Sequence, residues 1–121
     1  MKKLILILSI ALFVISCSNT NEQDEKEEII SIMNVQEKAW SNHDLEGFMD
    51  CYWENDFLKF YGSSGLTDGC ENVLSNYKRV YPTKEHSGTR NFKINDISKI
   101  NNDAYYVMGE YHLTRNVGDA E

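Results

Sequence analysis

Two side chains near the end of the chain could work as an acid–base pair. Glu110 and His112 stand two residues apart in "AYYVMGEYHLTR". In a strand that spacing puts them on one face with Tyr106 and Met108. A carboxylate beside an imidazole raises its basicity, which suits general acid–base catalysis near neutral pH. The opposite face carries Tyr105, Val107, Gly109, Tyr111 and Leu113. It is the more apolar of the two, so the competing reading leaves Glu110 and His112 in solvent.

Other polar candidates are sparser. His86 and Arg90 occupy the approach to "TRNFKINDISKI" and could form an anion site at a pocket mouth, although surface placement is the expectation for both. His43, beside Asp44 at a break between helical patterns, reads as loop chemistry. Three scattered histidines have no metal-ligand spacing, and Cys51 and Cys70 form no CxxC, so no metal is expected. No Gly-rich phosphate loop, nucleophile elbow or Cys–His pairing occurs, and no cofactor is expected. The aromatic residues carry more information. Trp40, Tyr52, Trp53, Phe60, Tyr77, Tyr81 and Tyr106 are the expected lining of a pocket for a small, mostly apolar ligand. The same rings, with Phe57, also suit a plain core.

The elements that position these residues follow from hydrophobic periodicity. Ile29, Ile32, Met33, Gln36, Ala39 and Trp40 make one stripe of a helix from about Glu25 to Ser41. Asp44 is the expected cap of a second helix bearing Leu45, Phe48, Met49, Tyr52 and Trp53. "DFLKFYG" reads as a strand and "SSGLTDG" as a loop. Asp68 and Glu71 have capping-box spacing for a third helix, whose stripe is Cys70, Val73, Leu74, Tyr77 and Tyr81 and which Pro82 ends. Cys51 and Cys70 fall on apolar helix faces, which favours two buried thiols over a disulfide. "TKEHSG" reads as a loop. "TRNFKINDISKI" and "DAYYVMGEYHLTR" read as two long strands joined at "NND". Helices first and an antiparallel sheet late is the α+β pattern.

The first 16 residues stand apart from this domain. Lys2 and Lys3 precede an apolar run from Leu4 to Ile15, too short for a permanent membrane span but built like an export signal. Val14-Ile15-Ser16-Cys17 resembles the bacterial lipobox, in which the cysteine thiol is acylated and the chain is cleaved before it. Residues 17–24 then form an acylated, polar tether, and the domain occupies 25–121. The expected setting is the cell envelope, with Cys17 in membrane lipid and the domain facing the periplasm or exterior. Two or three acyl chains hold such a protein stably, whereas one binds marginally. The chain has 12 basic and 19 acidic residues. Loss of Lys2 and Lys3 leaves 10 against 19, or −9. That charge gives no electrostatic footprint for nucleic acid, and none is expected as a partner.

The run "QEKAWSNHDLEGFMDCYWENDFLKFYGSSGLTDGCENVLSNYKRVYP", followed by "AYYVMGEYHLTR", resembles the SnoaL-like, nuclear transport factor 2-like superfamily. Trp40, Asp44, Leu45, Phe48, Tyr52, Trp53, Phe60, Gly62, Gly69, Tyr77, Tyr81, Pro82, Ala104, Val107 and Gly109 carry the likeness, which covers about Glu25 to Arg115. The resemblance implies a cone: three helices on a curved antiparallel sheet, a pocket at the open end, and in many relatives a homodimer. It also implies two further strands beyond this chain's end, so the domain reads as incomplete. Ketosteroid-isomerase-like relatives place a carboxylate base just after the first strand, where Tyr61 or Gly62 stands here. Asp56, before that strand, is a turn or capping acid. The fold hosts isomerases, dehydratases, hydrolases and binding proteins. The expected function is therefore a lipid-anchored ligand-binding or interaction domain, with a cavity enzyme as the alternative. The lipid anchor is directly testable. Cys17→Ser is expected to move the protein from the membrane to the soluble fraction, and the mature wild-type chain to carry the mass of two or three acyl groups.

Overall fold

The computed structural model describes residues 21–117; the expected export signal and the expected acylation site, Cys17, lie outside the described residues. Helix α1 (Glu22–Ser41) begins three residues earlier than the stripe predicts. The reason is local. The Asn21 side chain accepts from the Asp24 N–H at 2.9 Å, and the Asp24 carboxylate accepts from the Asn21 N–H at 3.4 Å. This capping box, with acidic residues against the helix dipole, turns the end of the expected tether into helix. The Glu25 carboxylate then takes the Tyr105 hydroxyl and, at 2.9 Å, the Lys99 ammonium, fixing the helix start to the last two strands.

Helix α2 (Leu45–Met49) has the expected Asp44 cap, whose carboxylate accepts from the Gly47 N–H at 2.9 Å. It ends sooner than expected, so the helical phase that would carry Trp53 inward is lost and that ring is 59 % exposed. Strands β1 (Lys59–Gly62) and β2 (Gly65–Asp68) form an antiparallel hairpin, so the expected loop "SSGLTDG" is half strand. Gly62 pairs with Gly65 around Ser63-Ser64, and Gly65 takes φ +97°, a conformation glycine adopts at little cost. The hairpin claims Asp68 for an ion pair with Lys59. The expected Asp68–Glu71 capping box therefore does not form, and Gly69 caps helix α3 (Cys70–Val80) instead.

A one-turn helix, α4 (Lys84–Ser87), replaces the expected loop at "TKEHSG". Lys84 holds it down through the backbone carbonyls of Ser41 and, at 2.7 Å, Gly88. Strands β3 (Thr89–Asn101) and β4 (Ala104–Thr114) form the predicted hairpin around Asn102-Asp103. The register slips between Ile94 and Asp96, which reverses the facing of the residues beyond. The described residues thus make four helices and two two-stranded ladders, where three helices on one sheet were expected. The fourth helix comes from the Lys84 and Ser87 ties, and the β1–β2 turn closes a separate ladder.

Helix α1 packs on β3 and on α2. Trp40, fully buried, is the centre of the core, with Leu45, Phe48, Met49, Val73 and Tyr81 around it. Its ring meets Phe48, Tyr77 and Tyr81 edge-on at 5.1, 5.3 and 4.9 Å, the arrangement that aromatic quadrupoles favour. Its indole N–H donates to the Ser87 carbonyl at 2.8 Å, so the buried polar atom is satisfied. Cys51 and Cys70 are free and partly buried, in agreement with the thiol expectation, and burial pushes both thiols above their ordinary range.

Trp40→Ala is expected to cost ~3–5 kcal/mol in urea unfolding, because it leaves a large cavity among three rings. Gly88 has φ +61°, and a Cβ there would fall on the Thr114 carbonyl oxygen, whereas a Cβ at Gly65 meets open space. Gly88→Ala should therefore destabilise by more than Gly65→Ala, which carries only the ~1–3 kcal/mol of backbone strain.

Candidate functional site

Between the two hairpins lies a groove of about 690 Å³, floored by α1 and α3 and walled by β1–β2 on one side and β3–β4 on the other. That volume is in the range of small-molecule sites. Ile32, Met33, Tyr52, Phe60, Tyr77, Phe92 and Tyr111 give it an apolar, largely aromatic surface. Phe60 makes ring contacts with Tyr52 at 6.2 Å and with Tyr77 at 5.9 Å.

The floor holds a residue that was expected at the surface. Arg90 is only 7 % exposed. Its guanidinium carbon lies 3.6 Å from the centroid of the Trp40 ring and 5.0 Å from those of Phe48 and Tyr111. Alternation along β3 explains the placement: Arg90, Phe92 and Ile94 share the inward face, opposite Leu113, Tyr111 and Gly109 of β4. The backbone is pinned as well, since the Ser41 hydroxyl bonds both the N–H and the carbonyl of Arg90 at 3.1 and 3.2 Å. The sequence carried this signal in the two-residue period of "RNFKI".

The electrostatics of that floor are unusual. Taking a cation from water costs several kcal/mol, whereas stacking on an aromatic face returns only ~2 kcal/mol. Among the described residues no carboxylate pairs with Arg90; the groups acting on its charge are the phenols of Tyr77, Tyr81, Tyr52 and Tyr111. Its Nε–H is buried with no acceptor among the described residues. Burial lowers the guanidinium pKa, yet arginine stays protonated at any physiological pH. Burial also raises Tyr77 far above the ordinary phenol range and Tyr52 in the same direction, with Arg90 opposing both shifts. These phenols are therefore neutral donors at neutral pH.

The expected site residues separate into three groups. Tyr52, Phe60, Tyr77 and Tyr81 line the groove. Trp40 lies beneath it, with its faces covered by other rings and Arg90. Trp53 and Tyr106 lie elsewhere: the first is past the end of α2, and the second is on the outer face of the β3–β4 ladder. There Tyr106, after Ser98, helps hold the Asp96 carboxyl below its usual range.

Glu110 and His112 do share a face, with Oε2 and Nε2 3.6 Å apart, but their side chains are 48 and 66 % exposed. Glu110 sits at the groove rim, where Lys93 bonds its carboxylate at 3.0 Å and keeps its pKa low. This is the solvent-face reading rather than a pocket acid–base pair. Tyr61 projects into solvent, and Asp56 lies in the turn that the Asn55 side chain organises by accepting from the Phe57 N–H at 2.8 Å. His43 takes φ +59° and its Nδ1 lies 3.0 Å from the Ser87 hydroxyl, a structural tie at the α1–α2 corner. His86 lies 2.9 Å from the Thr83 hydroxyl. Among the described residues no three His, Cys, Asp or Glu side chains gather where they could hold a metal ion.

No family model and no curated protein matches the chain. A solved structure does: an NTF-2-like protein of unknown function from Shewanella oneidensis MR-1. It is 32% identical, with a TM-score of 0.74 over 80% of this chain and 79% of that one. Identity at that level across most of both chains, together with the shared α+β architecture, places this chain in the nuclear transport factor 2-like family.

Proposed function

We propose that this chain is a binding module for a small, mostly apolar ligand, tethered to the outside of a bacterial membrane through acylated Cys17. The observation that carries the reading is the aromatic groove between the hairpins, with its volume and its few inward polar groups. We read the two ladders and their helices as walls of one cone around that groove. The lipobox resemblance at Val14–Cys17 supports the tether. The cavity-enzyme alternative, of isomerase, dehydratase or hydrolase type, draws no support from Glu110 and His112, which meet water and Lys93. It draws none from the position after β1 either, where Tyr61 and Gly62 offer no carboxylate base.

Native mass spectrometry of the full chain purified from its own host tests the proposal. A discrete added mass, lost on denaturation and reduced by a Tyr77→Trp substitution that fills the groove, is the expected result. Preparations that carry only the acylated chain, with no thermal shift from any of a broad set of small apolar compounds, would sink it.

A further inference from the structure

We infer that the ligand of this groove is an apolar monoanion, a carboxylate on an aromatic or alkyl body, and that Arg90 anchors its charge. The inference rests on the groove being a ligand site and adds the chemical class of the ligand. Arg90 is more than nine-tenths buried and lines the groove, and its Nε–H, sealed beneath the surface, has no acceptor among the described residues. The guanidinium already donates to the Tyr77 phenol, and its five N–H donors exceed what one phenol can accept. Those donors match the two oxygens of a carboxylate.

The rest of the groove limits the charge and shape of the occupant. Lys93, the other cation in the lining, is engaged by Glu110 at the rim. One uncompensated cation suits one negative charge, and a phosphate dianion would lack a second partner. The phenols of Tyr52 and Tyr77 stay protonated and can donate to the same oxygens. The surrounding surface is apolar, so the body of the ligand is hydrocarbon. An anion there would also relieve the unpaired charge that the fold has taken from water.

The test compares 4-phenylbutyrate with 4-phenylbutanol and 4-phenylbutylamine, three probes of one shape and different charge, by calorimetric titration of the full chain. The acid is expected to bind at least ~10-fold more tightly than the alcohol, with the amine weakest. Arg90→Lys keeps the charge but loses the planar fork. It is expected to lower the acid-over-alcohol affinity ratio at least several-fold, whereas a merely structural defect would weaken both probes alike and leave that ratio unchanged. Equal affinity for acid and alcohol overturns the role of Arg90 and leaves the groove reading standing. Failure of all three probes to bind at millimolar concentration overturns both. Should the substituted chain not fold, the wild-type Arg90 Nε–H resonance decides. A shift with the acid and none with the alcohol supports the inference, and the same response to both overturns it.

Discussion

The Arg90 guanidinium lies over the Trp40 ring at 3.6 Å in the middle of the molecule, and most of the tertiary structure meets at that contact. Trp40 ends the inward stripe of α1, and Arg90 opens the inward face of β3. Their contact joins the first helix to the late hairpin across 50 residues of chain. The indole N–H reaches the Ser87 carbonyl just before β3 begins, and Ser41 bonds the backbone of Arg90 from the other side. Three polar ties and one cation–π contact therefore fix the same junction. The edge-on rings of Phe48, Tyr77 and Tyr81 close around it and bring α2 and α3 into place.

That contact also sets the character of the groove. A core built from those rings alone would be an ordinary apolar centre. With a guanidinium on the Trp40 face, the floor becomes a buried cation held among the phenols of Tyr77, Tyr81, Tyr52 and Tyr111. Such an arrangement is costly to the fold unless it does something, since hydrocarbon of similar volume would pack there without a desolvation penalty. The residues that looked most chemical in the sequence have the reverse fate. Glu110 pairs with Lys93 directly across the β3–β4 ladder, and His112 stands next to it in solvent.

Much of the framework was legible from period and punctuation. The stripe ending in Trp40, the Asp44 cap, the helix from Cys70 to its stop before Pro82, and the long hairpin around Asn102-Asp103 each depend on neighbours close in sequence. The apolar face of β4 was legible for the same reason: Val107, Gly109 and Tyr111 do line the groove. The errors fall where a distant partner intervened. Asp68 had the spacing of a helix cap, but Lys59 on the adjoining strand took its carboxylate. Tyr106 is the exception, since the two-residue strand period that turns it outward with Glu110 and His112 was already visible in the sequence. "TKEHSG" had the composition of a loop, but Lys84 found the end of α1 and wound it into a turn of helix.

By itself the sequence determined the helices and long strands, the acidic surface, the family resemblance and the set of aromatic rings, because these rest on local periodicity, composition and residue type. Which rings face a groove and which are sealed beneath it was decided by the tertiary structure, through the early end of α2 and the Ser63-Ser64 turn. The tertiary structure also decided that a polar residue beside a loop would be the most buried cation of the described chain. Arg90 occupies that position because Trp40, from a helix 50 residues earlier, offers it an aromatic face in place of water.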